Sequence, residues 1–406
     1  MKVLHVCPWP GPPLFGGNTY VHHFLRNLAP RHRCRLIVIR YPYDSAVMTR
    51  EALADVGIPA ETLDIVDWPQ ASGLAWALGV TVSRWPPGLG FLQKVLRPHL
   101  KRKIESIVAE WKPDLLVVWR ALLAAALHDV RAVPKVLHAC DSYSMVKRSR
   151  AENTRDPVRR LLRLMFARRY ARYEREFFPH YDEVIFISQR DADYVALPPE
   201  APVSVIRNGV DTETLRPSEP DAVKALPPRV IYHGWFDYLP NAVAVRFLAD
   251  KIGPRLEREL GRSGFEIRVC GQMRDHKLRE HLARRPWMKV MGYVDDLQAE
   301  LAAAAVYAAP ISIGGGVKNK VLEAMACGLP VVGTPEAFSG LDLTPGVHGV
   351  LCPLDGVADE LVRLLRDPER CRHIGEAARE WVLKNVSWQR SSLLLEDVLK
   401  RACGAD

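Results

Sequence analysis

Short apolar runs alternate with amphipathic stretches almost from end to end of the chain. Residues 3–6 and 36–39 predict strands. Between them Val21, Phe24, Leu25 and Leu28 fall at i, i+3, i+4 and i+7, the spacing of a helix with one buried face. Asn18-Thr19, just behind the turn glycines Gly16 and Gly17, supplies its N-cap. Leu100, Ile104, Ile107, Val108 and Trp111 repeat the helical spacing and lead through Lys112-Pro113-Asp114 into a strand at 115–118. Further strands are predicted at 136–138, 184–187 and 203–206. Strands this apolar, separated by helices, predict a parallel sheet covered on both faces.

The rhythm restarts after Asn208-Gly209-Val210-Asp211. The proline-bearing stretch from Arg216-Pro217 to Pro227-Pro228 predicts a connection between domains. A second series of strands follows at 230–232, 265–269, 289–291, 306–309 and 331–334, each separated by a helical pattern. The pattern therefore predicts two α/β halves joined by a hinge, an arrangement that makes a natural ligand cleft.

Composition narrows the classes. With 406 residues, 48% hydrophobic and 25% charged, each half is long enough to bury a core and wholesale disorder is excluded. No stretch approaches eighteen uninterrupted apolar residues, so no spanning helix is predicted. The opening run is broken by Pro8 too soon for a secretory signal, and a cytoplasmic protein is expected. The eight cysteines are scattered singly, without a CxxC pair or metal-ligand spacing, which predicts reduced, mostly buried thiols. The net charge of +9 is concentrated: residues 147–175 hold eleven Lys or Arg against three acids. Nucleic acid, an anionic membrane surface and an anionic substrate all remain candidate partners on charge alone.

The sharpest candidate chemistry lies at 313–334. The triple glycine Gly314, Gly315 and Gly316 allows backbone N–H groups to approach a ligand closely, and a predicted helix starts right behind it. A helix N-terminus there favours an anion, and Lys318 and Lys320 add cations. Glu323, one turn on, offers an acceptor suited to a pair of sugar hydroxyls. A flexible loop before an ordinary core helix is the plain alternative. Gly16 and Gly17 form a second strand-to-helix turn that suits the same kind of anion.

Several of these stretches resemble a known family. Residues 207–217, Arg207-Asn208-Gly209-Val210-Asp211 onward to Pro217, resemble the domain-junction signature of family 4 retaining glycosyltransferases. Residues 320–332, from Lys320 through Glu323-Ala324-Met325-Ala326 to Val332, resemble that family's sugar-nucleotide helix. His233-Gly234-Trp235 and the following residues to Asn241, with Val317-Lys318-Asn319-Lys320, are most similar to bacterial sugar transferases of exopolysaccharide type. The resemblance runs over essentially the whole chain, including the N-terminal glycine turn and the closing Trp388 helix.

What the resemblance implies is a GT-B fold, two Rossmann-like α/β domains whose parallel sheets face one another across a cleft. Residues 1–208 would form the acceptor-side domain, with 388–406 packing back on it, and 209–387 the nucleotide-sugar domain. The implied reaction is retaining transfer of a sugar from a nucleoside-diphosphate sugar to an acceptor hydroxyl, in glycan or glycoconjugate biosynthesis. No cofactor beyond the donor and no metal is implied. The departing phosphate oxygen takes the acceptor proton, so stabilising the diphosphate is the main electrostatic task.

By the same resemblance Glu323 matches the second Glu of the E-x7-E motif, which binds ribose hydroxyls. The first Glu is replaced by Gly315. Gly315 and Gly316 are expected to contact the donor through backbone N–H groups, beside Asn319. Trp235 and Pro240 stand where many relatives have an Arg and a Lys, so Lys318 and Lys320 are expected to stabilise the diphosphate. His138 or Asp141 is expected near the donor sugar, a satisfied core histidine being the alternative. Gly271, Gln272, Tyr293 and Val294 are expected near the base. Asp191-Ala192-Asp193 has the form of a metal motif but follows Ser188 at a predicted helix start, where a capping box is expected.

The acceptor is open. Arg159, Arg160, Arg163, Arg168, Arg169, Arg172 and Arg175 lie on a long helical pattern, and Leu74, Trp76, Leu78, Trp85, Leu89 and Phe91 give an apolar stretch upstream. A solvated helix, an anionic lipid surface with peripheral attachment at the inner face of the membrane, and an acidic saccharide all suit the helix. Saccharide, lipid-linked and small-molecule acceptors are therefore candidates. Nucleic acid lacks an accompanying recognition motif. Two other functions remain in view, a non-catalytic sugar-nucleotide-binding protein and a GT-B-fold sugar-nucleotide epimerase.

Overall fold

The computed structural model describes residues 1–8, 10, 19–40, 56–67, 89–152, 154, 156–217, 227–314 and 317–404. They form two compact units. One comprises Met1–Asn208 with Trp388–Asp406, the other Gly209–Ser387.

In the first unit seven strands form one parallel sheet. They are β1 (Lys2–Pro8), β2 (Arg33–Arg40), β3 (Leu63–Asp67), β4 (Leu115–Trp119), β5 (Lys135–Cys140), β6 (Glu183–Phe186) and β7 (Val203–Val205), in the order β3-β2-β1-β4-β5-β6-β7. Alternation along each strand sends side chains to two covering layers. Leu4, Val6, Leu116 and Val118 pack with Leu100, Ile104 and Ile107 of the helix Leu89–Trp111 and with Tyr173 and Phe177 of the helix Pro157–Phe177. Val3, Cys7, Leu115 and Val117 pack instead with Phe24 and Leu25 of the helix Thr19–Leu28.

The helix Trp388–Ala402 joins that second layer through Leu395 and Leu399. Trp388 stacks on His23 at 4.7 Å between centroids, and Glu396 takes Arg31 at 2.7 Å.

The strand β3 is not evident in the sequence pattern. Its Asp64 and Asp67 interrupt the apolar run, because it is the edge strand and half of it faces outward. The basic region holds two helices, Tyr143–Glu152 and Pro157–Phe177. Asp156 starts the second one, its carboxylate accepting from the Arg159 N–H, with Pro157 in the first turn.

In the second unit six strands form another parallel sheet: β8 (Arg229–His233), β9 (Glu266–Cys270), β10 (Met288–Gly292), β11 (Val306–Ala309), β12 (Val331–Gly333) and β13 (Val350–Leu351). Their order is β10-β9-β8-β11-β12-β13. The first strand, β8, lies between β9 and β11, so the connections leave it in opposite directions. Ligands of open α/β sheets bind at such a switch, beyond the carboxyl ends of the strands. The helix Asn319–Ala326 follows β11 and buries Val321, Leu322, Ala324 and Met325, which fixes the direction of its remaining face. Among the described residues no helix is long and apolar enough to cross a membrane.

Candidate functional site

β8 ends on His233, and Gly234 turns the chain at φ 149°. Gly271, which follows β9, adopts φ 134°, and a Cβ there would lie 1.9 Å from the Gly234 carbonyl oxygen. Only glycine permits that approach. The Gly271 N–H donates to the Gly292 carbonyl at 2.6 Å, and the Gln272 carbonyl accepts from the Phe236 N–H at 2.9 Å. The ends of β8, β9 and β10 are thereby tied side by side into a rim.

The helix Asn319–Ala326 delivers two charges to this rim, because Lys320 and Glu323 are three residues apart and share one helix face. Glu323 Oε2 lies 2.6 Å from His233 Nε2. A carboxylate only accepts, so Nε2 carries the proton. Lys320 Nζ donates to Asn241 Oδ1 at 2.5 Å and lies 5.0 Å from the centroid of the Tyr232 ring. Asn241 is itself fixed, donating to the Trp235 carbonyl at 2.8 Å and accepting from the Tyr232 hydroxyl at 3.2 Å. The ammonium occupies space that Gly234 leaves open: a Cβ there would come within 2.6 Å of Nζ.

Burial pushes the Glu323 carboxyl up, but the hydrogen bond from His233 and the charge of Lys320 prevail and hold it below the usual carboxylate range. Burial pushes the Lys320 ammonium down to about 8; Glu323 opposes the shift and Lys318 adds to it. The Glu323 side chain remains 31% exposed while that of His233 is only 8% exposed. An anchored, ionised carboxylate with open surface suits a pair of hydroxyl donors, and the adjacent ammonium suits an anion.

The structure thus brings Gly271, Lys320 and Glu323 together. Lys318 pairs with Glu336 at 3.2 Å, so part of its charge is committed within the unit. It precedes the helix without making a side-chain cap, and Asn319 begins the helix exposed. Tyr293 is largely exposed just past β10, whereas Val294 packs against the core. His233, Asn241 and Tyr232, which hold this pair, are not among the residues expected from the sequence, although the motif running from His233 to Asn241 is visible there. Its signal was a histidine closing an apolar strand immediately before a glycine. Gly16, Gly17, Gly315 and Gly316 lie outside the described residues, as do 74–85 of the upstream apolar stretch.

In the first unit, alternation along β5 sends Val136 and His138 to the layer that holds Phe24. Expected beside a donor sugar, His138 instead has no exposed surface and stacks on Trp119 at 5.0 Å and Tyr20 at 5.1 Å. Neither ring nitrogen has a hydrogen-bond partner among the described residues, and burial lowers its pKa to about 3. Asp141, just beyond the strand, keeps exposed surface. Beside it Cys140 and Arg120 hold left-handed φ values of 70° and 95°. Such conformations cost on the order of 1–3 kcal/mol each and concentrate at functional sites.

Asp191 is buried and structural. It accepts from the Ser142 N–H at 2.8 Å and from the Ser188 hydroxyl, while Ser188 caps the helix Gln189–Val195. Next to it Glu174 is buried, accepting from the Ser144 N–H at 3.1 Å and from the Ser144 and Ser142 hydroxyls. Burial pushes Glu174 up to about 7 despite those bonds. Among the described residues no group of three or more His, Cys, Asp or Glu is placed to hold a metal ion.

Two family models match the chain, Glycosyltransferase Family 4 over residues 15–214 and Glycosyl transferases group 1 over residues 227–367. The chain belongs to the family 4, group 1 glycosyltransferases. Among curated relatives of this glycosyltransferase, N-acetyl-alpha-D-glucosaminyl L-malate synthase of Bacillus anthracis is 45% identical over 65 residues, 15% of this chain and 17% of that protein. A GDP-mannose-dependent alpha-(1-6)-phosphatidylinositol monomannoside mannosyltransferase of Mycobacterium tuberculosis is 29% identical over 244 residues, 54% of this chain and 62% of that protein. The chain thus spans less than two thirds of the length of either. Sucrose-phosphate synthase from Thermosynechococcus elongatus superposes with a TM-score of 0.72 at 18% identity, covering 100% of both chains. Anabaena HepE in complex with UDP superposes with a TM-score of 0.66 at 18% identity, covering 99% of this chain and 100% of that one. The glycosyltransferase therefore has the GT-B fold.

Proposed function

We propose that the chain transfers a sugar from a nucleoside diphosphate to an acceptor hydroxyl, with retention at the anomeric carbon and without a required metal. The observation that carries this reading is the cluster at the carboxyl ends of β8 and β9, where Glu323 is anchored by His233 and Lys320 is held beside Gly234. Glu323 accepts from the two ribose hydroxyls. Lys320, coming from the helix, supplies the cation that Trp235 and Pro240 cannot, and Lys318 reinforces it. Both stabilise the diphosphate as its bond to the anomeric carbon breaks, and its leaving oxygen takes the acceptor proton. Gly271, Gln272, Tyr293 and Val294 border the base, and the N–H groups of Gly315, Gly316 and Asn319 meet the donor. His138, which burial holds neutral, is assigned no proton transfer in this reading. Asp141 is the group of the first unit assigned to the acceptor or the donor sugar.

A thermal-shift panel of UDP, GDP, TDP, ADP and CDP with their sugars, on wild type and Glu323→Ala, tests the donor. UDP and GDP lead it, since HepE is solved with UDP and the mycobacterial relative is GDP-mannose-dependent. One nucleotide family is expected to stabilise the wild type by about 2.7 kcal/mol at a hundred times its dissociation constant, and the variant not at all. No response from any nucleotide overturns the reading. Unchanged binding after EDTA and an NMR assignment of the product anomer test metal independence and retention.

Gly315 in place of the first motif Glu favours one further reading, a donor-binding protein without turnover. Tight nucleotide-sugar binding with no nucleotide release in the presence of any acceptor pool would support it.

A further inference from the structure

The first three turns of the helix Pro157–Phe177 carry apolar side chains that the described residues of the first unit leave uncovered. Val158, Leu161, Leu162 and Met165 are between 44% and 66% exposed. They fall at i, i+3, i+4 and i+7, so they form one stripe along one face. The opposite face is the buried one, carrying Ala167 and Glu174. Further along, Arg168, Arg169 and Arg172 continue the same stripe as cations. From Val158 to Arg172 it is about 21 Å long at 1.5 Å per residue. No acid occurs between Asp156 and Glu174, and Glu174 is buried.

The geometry points to an anionic lipid surface as the partner of this face. Helices that lie in a bilayer interface pair an apolar stripe with arginines that reach the headgroups. A solvated helix does not need four exposed aliphatic side chains on one face. An acidic saccharide uses the arginines but leaves that stripe in water. A second copy of the chain, laid parallel on this face, would bring two rows of arginines together with no exposed acid between them. Lipid phosphate satisfies the arginines and the acyl boundary takes Val158, Leu161, Leu162 and Met165. No helix of the described residues crosses a membrane, so attachment is interfacial and reversible. The acceptor class that this placement favours is a hydroxyl presented at a lipid headgroup or on a lipid-linked sugar. The surface belongs to the first unit alone and does not depend on the donor cluster.

The test is partition of the full chain onto vesicles of phosphatidylcholine with or without 30% phosphatidylglycerol (a composition on the order of anionic leaflets), measured by flotation. Wild type is expected on the anionic vesicles and not on the neutral ones, with release at high salt. Each surface cation contributes about fivefold in partition, so Arg168→Glu, Arg169→Glu and Arg172→Glu together lower it on the order of 100-fold or more. Leu161→Ser with Leu162→Ser and Met165→Ser is expected to weaken it at low salt as well, where the arginines are unscreened. All six side chains lie outside the core, so an unchanged melting midpoint shows the variants folded. Equal wild-type partition on both vesicle types overturns the proposal, as does a charge variant that partitions within about twofold of wild type. A concentration-dependent dimer abolished by the serine variant, with no vesicle binding, assigns the face to a second copy and also overturns it. The nucleotide panel reads the donor site separately in every one of these proteins.

Discussion

Each of the two sheets carries a histidine toward the carboxyl end of a strand, and the two are used in opposite ways. His138 on β5 lies among the rings of Trp119, Tyr20 and Phe24, with neither nitrogen partnered among the described residues. His233 on β8 is nearly as buried, yet its Nε2 holds Glu323, whose carboxylate opens outward. Strand position alone does not separate them. The partner does: His233 meets a charged residue from the next helix, and His138 meets only rings. A strand-end histidine becomes part of a site when a second element supplies a group for it to orient.

The sharpest way to break this contrast is to remove the rim on which His233 depends. Gly271→Ala puts a Cβ 1.9 Å from the Gly234 carbonyl and at φ 134°. It should cost the second unit about 3 kcal/mol or more. In calorimetry one unfolding transition should fall and the nucleotide response should vanish, while the first unit's transition stays in place. A variant as stable as wild type would show that the strand ends are not so closely tied.

The histidines themselves give the next largest effect. His233→Ala leaves Glu323 without its anchor and should raise the nucleotide dissociation constant about tenfold, by the worth of a charge-assisted hydrogen bond. His138→Leu should leave that constant within about twofold and change the first unit's stability by less than about 1 kcal/mol, because it removes nitrogens that have no partner among the described residues. Titration calorimetry on both variants checks the pair. Equal losses would erase the distinction.

Lys320 sharpens the comparison through pH. A bound diphosphate favours the protonated ammonium, whereas the free protein loses that proton above about 8. Nucleotide affinity should therefore be level below that pH and fall by up to about tenfold per unit above it. Lys320→Arg should flatten the profile, since a guanidinium stays charged throughout. An unchanged slope would place the anion elsewhere.

The smallest effect belongs to the first unit. Glu174, raised to about 7, retains a proton in the folded state that the unfolded chain gives up at its ordinary carboxylate value. The stability it lends is complete at acid pH and is lost as pH rises through about 7. Glu174→Gln should remove that loss, changing the slope of the first unit's melting midpoint between pH 5 and 7 by about 3–5 °C per pH unit. Parallel slopes would mean that the serines around it hold it ionised.

How much was legible in the chain follows from the same physics. The interior strands of both sheets announce themselves because burial on both faces demands continuous apolar runs. The edge strand β3 does not, since Asp67 faces outward and Asp64 pairs with Arg35 and Lys103. Lys320 and Glu323 were visible as types at helical spacing behind a glycine run. Their partners were not, because His233 and Asn241 reach them across 90 and 79 residues of chain. His138 was visible as a strand-end histidine, but which layer it faced depended on the packing of the helix Thr19–Leu28 against it. The stripe of Val158, Leu161, Leu162 and Met165 has the period of a core face. Only the burial of the opposite side marks it as outward.

The helix Trp388–Ala402 has a consequence for the order in which the protein is made. It stacks Trp388 on His23 and completes a layer begun by residues 19–28, so the first unit lacks part of its cover until the far end of the chain has been synthesised. The second unit, complete by Ser387, has everything it needs sooner. The half encoded first is therefore the half finished last. On the ribosome the side of the helix Thr19–Leu28 that Trp388 covers, with His23 and the edge of Phe24, must be kept from other chains while the second half folds. Limited proteolysis of nascent chains stalled at Ser387 should find the second unit resistant and the first still open to cleavage.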